Sequence, residues 1–326
     1  KITAMSELHA VYAKGGNYFD DVRLDLAASL AEQDKWLCDA SKKRVRPSRI
    51  RNYGRLLLFA SLKKSGLWNR MVDAGFVRYW FEEFSGFWRN VVQGRPLEIH
   101  DFHSLRFHYR REFNRMTSAK EYEWTSSADH VLNWQNHEAL FQVFHYAYRY
   151  ACMPKNIQIM PRVMRRNDRV LEYGCSSAPS YSCWKRFFSH VPTSWVLADI
   201  GNHSFYYARY IHGRDESAAT HLINPDSFED PLNGVEGKFD IIFINEVFEH
   251  LDQPVYIANY LIDRLNKGGR LVFDYIISDA KGLDTNAGKA QRDETMDVLG
   301  RRLKLLYGNM GDASRSTGLC IGQKIK

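Results

Sequence analysis

Cysteine is scarce in this chain of 326 residues: Cys38, Cys152, Cys175, Cys183 and Cys320 are all there is, with no C-x-x-C pair. That spacing argues against a disulfide framework and against a zinc site, and it fits a reducing, intracellular setting, read here as cytoplasmic. No apolar run approaches the roughly 20 residues that cross a bilayer, and LLLFASL at 56–62 is short and followed by lysines. A secretory signal is also lacking. The chain opens at Lys1 rather than a methionine, which reads as a fragment or a processed form of something longer. Neither internal repeats nor low-complexity tracts occur.

Glycine is missing where it is most expected. VLEYGCSSAPSY, residues 170–181, has the rhythm of a strand, a ligand-cradling turn and a helix start, yet only Gly174 of its three small positions is glycine. Ser176 and Ala178 hold the other two. Glycine suits such turns because it reaches positive φ without penalty and lets a ligand approach the backbone. Serine and alanine are small enough to keep the close approach but are expected to give up the freest backbone geometry. Pro179 fits the first turn of the helix, which runs on through Cys183, Trp184 and Phe187.

What is present supports a folded core throughout, with 44% hydrophobic residues. The length allows one α/β domain and a substantial second unit. Residues 1–115 read as mostly helical, with helix-period apolar positions in 11–30, 56–67 and 76–92. Residues 116–165 read as connecting helices, HVLNWQNHEALFQVFHYAYRYACM forming one long helix into the first strand. From 166 to 326 strand and helix patterns alternate. WVLADI (195–200) is a second strand ending in Asp199, THLINPDSF a third followed by Asp226, and FDIIFI a fourth stopping at Asn245 and Glu246. LNKGGRLVFDYII (265–277) reads as a helix end, a Gly268-Gly269 turn and a fifth strand. Residues 287–303 follow as a helix, and KLLYGNM and GLCIGQKIK supply the last two strands, the final one antiparallel.

Charge is unevenly placed. Residues 1–150 carry 23 Lys and Arg against 17 Asp and Glu, while the remainder is nearly balanced at 22 against 21. The excess gathers in SKKRVRPSRIRNYGR at 41–55, where Lys42, Lys43, Arg44, Arg46, Arg49, Arg51 and Arg55 stand without one acid. Such a run is a solvated face, a dock for an anionic partner or substrate, or a phosphate-binding patch. No RNA-binding signature accompanies it.

Taken together, these motifs resemble class I S-adenosylmethionine-dependent methyltransferases. The resemblance spans roughly residues 120–326 and is carried by Glu172-Tyr173-Gly174-Cys175-Ser176, Asp199, Asp226, Asn245-Glu246-Val247-Phe248-Glu249-His250-Leu251 and Lys267-Gly268-Gly269-Arg270-Leu271. It implies a doubly wound, seven-stranded Rossmann-like sheet with an N-terminal α-helical cap. It also implies that S-adenosylmethionine is held by Glu172, Gly174, Cys175, Ser176, Ala178, Asp199, Ile200, Asp226, Ser227, Asn245 and Glu246. Glu172 would stand near the cofactor's ammonium, Asp199 at its ribose and Asp226 near its adenine, with Tyr122 and Trp124 folding over the methionine end. A dehydrogenase shares the strand, turn and acidic residue, but the G-x-G-x-x-G fingerprint is absent.

Methyl transfer to a hydroxyl needs a base close to the acceptor. His250 and Glu246 are the candidates beside the fourth strand, and His103, His108 and His137 those from the helical half. Glu246, Glu249 and His250 also form an E-x-x-E-H string, which at helical spacing offers a partial divalent-metal site; the bland reading is a helix start, and no metal is expected. His250 is the last histidine of the chain, so any metal site would have to do without one downstream. The strand-four ending is not the Asn-Pro-Pro-Tyr type that grips a planar nitrogen, which leaves oxygen on a sugar or other small molecule as the expected acceptor, in a pocket between sheet domain and cap. Two other readings stay open: a methyltransferase of RNA, protein or a carrier-bound substrate docked by 41–55, and a silent, methyltransferase-like binding module.

Overall fold

The computed structural model describes residues 61, 64–66, 78–92, 96–118, 131, 133–135, 137–147, 154–224, 228–276, 284–311 and 316–325. The chain divides into two compact units, Lys1–His108 and Tyr109–Lys326.

In the first unit, helix α1 (Arg78–Asn90) buries Trp80, Phe84, Phe87 and Trp88, which its 3.6-residue period brings onto one face. Helix α2 (Ile99–Ser118) begins here, and its Phe102 packs edge-on against Phe84 at 4.7 Å and tilted against Trp80 at 4.8 Å. Of the three helical stretches expected in this half, 76–92 matches α1; 11–30 and nearly all of 56–67 lie outside the described residues.

The second unit takes up the chain within α2, at Tyr109, and goes on to broken helix. Within the expected helix over 130–153, residues 131 and 133–135 are helical, His137–Leu140 is a 3-10 turn and Phe141–Tyr146 a short α3; 148–153 lie outside the described residues, and α4 (Pro154–Val163) follows. Pro154 explains the new start, because it lacks the N–H that would continue a preceding helix and is at home in a first turn.

Then come β1 (Arg169–Tyr173), α5 (Pro179–Cys183) running into a π turn at Trp184–Phe188, β2 (Ser194–Asp199), α6 (His203–His212), β3 (Ala218–Leu222) and β4 (Phe239–Ile244). A 3-10 turn (Phe248–His250), α7 (Pro254–Asp263), β5 (Leu265–Phe273), α8 (Asn286–Ala290), α9 (Arg292–Arg302), β6 (Leu303–Tyr307) and β7 (Cys320–Lys324) complete it. The sheet order is β3-β2-β1-β4-β5-β7-β6, with β7 antiparallel to both neighbours and the other pairings parallel. This is the expected α/β class and the expected seven strands. The central strands read as unbroken apolar runs because helices cover both faces; Leu171, Ile242, Ile244, Leu271 and Phe273 lie in one core with Leu261 and Leu299.

Two boundaries differ from the sequence reading. The third strand starts earlier, at Ala218, and ends at Leu222, after which Ile223 donates to the Asp199 carbonyl as the chain leaves the sheet. The fifth strand starts at Leu265, so Lys267-Gly268-Gly269 is a bulge within it rather than a turn before it. Pairing jumps there from Phe239↔Leu265 to Ile241↔Arg270, and Gly268 takes φ +72°.

Candidate functional site

Strands β1 and β4 are neighbours from which the chain winds outward in opposite directions, so the loops at their C-terminal ends part and leave a crevice. A cavity of about 240 Å³ lies there, built wholly from the second unit.

Its floor is the loop after β1. Gly174, Ser176 and Ala178 adopt φ of 65°, 50° and 54°, so all three small positions sit in the left-handed region. The expectation that serine and alanine would forfeit glycine's geometry is therefore corrected. For an L-residue that conformation costs about 1–2 kcal/mol, and local bonds offset it. Ser176 N–H donates to Asp199 Oδ2 (2.6 Å), Ala178 N–H to the Cys175 carbonyl (2.7 Å) and Cys175 N–H to the Ala198 carbonyl (3.1 Å). At Gly174 side-chain size matters as well, since an added Cβ would lie 2.4 Å from Val247 Cγ2 across the crevice.

Glu172 is buried, and its two oxygens accept from Ser180 N–H (2.8 Å) and Tyr181 N–H (3.0 Å), the first free amides of α5. Burial pushes its carboxyl up to about 7 against the pull of those amides. Asp199 is likewise buried and pushed up by desolvation to about 6, its oxygens accepting from Ser176, Ile200 N–H (2.7 Å) and Asn202 Nδ2 (3.1 Å). Three of a carboxylate's roughly four acceptor positions are thus taken. Asn202 also caps α6 through Phe205 N–H. Gln135, on the wall segment before α3, donates to the Gly201 carbonyl (2.7 Å), and its own carbonyl meets His203 Nε2 at 3.0 Å.

The opposite wall follows β4. Glu246 has φ 56°, and its N–H donates to Asp274 Oδ1 at 2.5 Å. Its side chain accepts from Lys155 Nζ at 2.6 Å, and Lys155 also stands 3.6 Å from Asp274 Oδ2. Burial works against the Lys155 charge, but Asp274 and Glu246 outweigh it and hold the ammonium above its usual pKa. Desolvation pushes Asp274 up to about 6 despite Lys155. His250 lines the cavity with Nδ1 3.7 Å from Asp284 Oδ1, and Trp134 meets its ring edge-on at 5.4 Å. Glu249 is buried beneath, pushed up to about 8 by desolvation and by Asp274, Asp284 and Glu246.

The structure brings together Glu172, Gly174, Cys175, Ser176, Asp199, Ile200, Asn245, Glu246 and His250 around one cavity. Ala178 sits in the loop between lining residues Ser177 and Pro179. His108 is buried in the first unit, and of His103 and His137 only the backbone is described. Tyr122, Trp124, Asp226, Ser227 and the basic segment 41–55 lie outside the described residues. Glu246 and Glu249 do not share a helix face as the E-x-x-E-H reading supposed. Glu246 is left-handed, Phe248–His250 is a 3-10 turn, and among the described residues no group of three or more His, Cys, Asp or Glu is arranged to hold a metal.

Sequence reasoning missed Lys155, Asp274, Asp284, Gln135 and Asn202. Asn202 alone had a local signal, an N-cap letter directly after a strand; the others arrive through tertiary packing.

Two polar atoms are unspent at this site. Ser177 Oγ and Asn245 Oδ1 are buried on lining residues and have no hydrogen-bond partner among the described residues. No described helix is long and apolar enough to cross a membrane.

No family model and no curated protein matches the chain. Among solved structures it is similar to an O-methyltransferase family protein from Burkholderia thailandensis, at 12% identity and TM-score 0.44 over 69% of this chain and 70% of that one. It is also similar to the pyocyanin biosynthetic protein PhzM, at 12% and 0.41 over 61% and 62%. A methyltransferase from Pyrococcus furiosus stands at 18% and 0.34 over 52% and 81%. Likeness this distant carries no argument about what the chain does.

Proposed function

We propose that the chain is a class I S-adenosylmethionine-dependent methyltransferase that methylates a hydroxyl of a small molecule or sugar. The observation that carries this reading is the position of Glu172. A dinucleotide's diphosphate would need the free amides at the start of the helix after β1, and here the Glu172 carboxylate has taken Ser180 N–H and Tyr181 N–H. With Asp199 also lining the cavity, and Glu246 answered by its Lys155 pair, this end of the cavity suits a cofactor with positive charge better than a diphosphate.

The residues fit such a cofactor. The 174–178 backbone, Glu172, Asp199, Asn202 and the unspent Ser177 Oγ and Asn245 Oδ1 would hold it. When bound, S-adenosylmethionine supplies an activated methyl group on a sulfonium, so the protein need only orient the acceptor and take its proton. His250 is the base: Nε2 receives the hydroxyl proton, and Asp284, at ion-pair distance from Nδ1, stabilises the imidazolium that results. Trp134 keeps the ring oriented. The silent-module reading rested on two lost glycines, and the left-handed Ser176 and Ala178 remove its main support.

Titration calorimetry with S-adenosylmethionine, S-adenosylhomocysteine and NAD tests the reading. Both sulfur compounds are expected to bind and NAD is not; NAD binding without the other two overturns it. Transfer of labelled methyl into small-molecule, polysaccharide, RNA and protein fractions of an extract then separates acceptor classes, and label in RNA or protein alone would sink the small-molecule acceptor.

A further inference from the structure

The helices beside the crevice bring side chains of a different kind from its floor. Across the 3-10 turn and α3, Ala139, Gln142 and Tyr146 recur at spacings of three and four, so one face of that segment lines the cavity. Phe141, Val143 and Phe144, which do not line it, are buried. In the first turn of α4, Asn156 lines the cavity too, and it is only 3% exposed. Gln253 is a third lining carboxamide, exposed, directly before α7 and without capping it. Three elements thus each present an amide side chain to one cavity.

The side chains of Gln142 and Asn156 have no hydrogen-bond partner among the described residues. A buried carboxamide without partners is costly, because its N–H₂ and its C=O have both left water. What answers it is a ligand that brings a donor and an acceptor together. The charged groups, by comparison, are spent. Lys155 and Glu246 hold each other at 2.6 Å, His250 has Asp284 beside it, and Asp252 is not free either. Glu172 takes two amides and Asp199 three donors, and both serve the cofactor in the methyltransferase reading. A charged acceptor finds no waiting counter-charge among the described residues, and burying a charge unanswered costs far more than burying a hydrogen-bonded hydroxyl.

Resting on the methyltransferase reading, we propose that the acceptor is neutral and rich in hydroxyls, of the sugar kind, and that Gln142 and Asn156 select it by hydrogen-bonding its other hydroxyls. A hydroxyl is donor and acceptor at once, so neighbouring hydroxyls satisfy both ends of a carboxamide. Trp134 and Tyr146 also line the cavity and offer aromatic surface to the C–H face of a ring. Trp134 lies edge-on to His250, which puts that surface next to the base. A plain phenol would fill the aromatic part and leave both carboxamides unanswered.

The test starts from the extract labelling above. The labelled small-molecule product, or the hydrolysed product if it is a glycan, is passed over cation and anion exchangers at neutral pH and then peracetylated for mass spectrometry. It is expected to be held by neither exchanger and to take up several acetyl groups. Gln142→Leu and Asn156→Leu are then compared with the native chain, the active fraction serving as acceptor at graded dilution. Each should raise the apparent KM about tenfold, as losing a pair of hydrogen bonds to a neutral group implies, with kcat nearly unchanged. Gln142 is half-buried, so its variant serves if Asn156→Leu does not fold. Calorimetric affinity for S-adenosylhomocysteine should be the same in all three chains, which separates acceptor recognition from cofactor binding and from general damage. An ionic product overturns the proposal, as does a neutral one that takes up a single acetyl group or none. So do label confined to RNA or protein, no transfer by a chain that binds S-adenosylhomocysteine, and folded variants that keep the native KM or lose S-adenosylhomocysteine affinity instead. Failure of the native chain to bind S-adenosylhomocysteine would bring down the underlying methyltransferase reading.

Discussion

The two walls of the cavity are built differently. The loop after β1 is held by its own backbone N–H groups: Ala178 donates to the Cys175 carbonyl, Ser180 to the Glu172 carboxylate, and Cys175 and Ser176 to Ala198 and Asp199 at the end of β2. The loop after β4 is held by side chains from far away: Lys155 reaches Glu246 across 91 positions, Asp274 takes the Glu246 N–H across 28, and Asp284 meets His250 from beyond β5. The first wall is a backbone cradle and the second an ion network. On the proposed function the first wall mainly binds and the second handles the proton, so substitutions on the two should separate affinity from turnover.

The largest separation is expected at His250. His250→Asn should lower methyl transfer by about 10²–10⁴-fold, the usual share of a general base, with affinity for S-adenosylmethionine unchanged. Loss of affinity with unaltered turnover would reverse the assignment of the two walls. Asp284→Asn should give a smaller loss of turnover and an altered pH profile, since Asp284 acts through the imidazole.

Next comes the contact between the walls. Gly174→Ala puts a Cβ 2.4 Å from Val247 Cγ2 at a φ of 65°, and together the overlap and the backbone strain should destabilise the fold by about 2–4 kcal/mol in urea unfolding. Adding Val247→Ala should recover the steric part and leave the strain. No recovery would mean that strain alone decides the glycine.

This division also governs what could be read in advance. Gly174, Pro179, Asp199 and Asn245 announce themselves because strand ends, turn letters and helix starts are local physics, and the seven strands follow from apolar runs of the right length. The bulge at Lys267-Gly268-Gly269 was misread because a turn and a bulge share the same letters, and only pairing with β4 distinguishes them. Lys155 had no signal at all: a lysine in the first turn of a helix is ordinary until tertiary packing sets it between two carboxylates.

A subtler difference is pH dependence. Glu249 is held near 8 in the fold against its usual 4.5, so between those values the native chain keeps a proton that the unfolded chain has lost. Its contribution to stability is therefore full below the unfolded pKa and is lost as pH rises through the folded one. Glu172, Asp199 and Asp274, raised to about 7, 6 and 6, act with the same sign over narrower windows. Thermal stability should fall as pH rises from mildly acidic to mildly alkaline, and Glu249→Gln should flatten the upper part of that fall. An unchanged slope in the variant would mean that Glu249 ionises in the native chain at its ordinary pKa.

The smallest effects set equal backbone changes on the two walls against each other. Ser176, Ala178 and Glu246 all hold positive φ, so glycine relieves the same strain at each. On the β1 side nothing is lost with the Ala178 methyl but packing, and Ala178→Gly should raise stability by about 0.5–1 kcal/mol, the left-handed penalty less glycine's added chain entropy. At Glu246 the side chain holds Lys155, so Glu246→Gly removes a carboxylate from the network while relieving the backbone, and the gain should vanish or change sign. Equal gains at both positions in urea titrations would show that the Lys155 pair contributes nothing to the fold, and the second wall would then be held by the bonds of its backbone N–H groups, like the first.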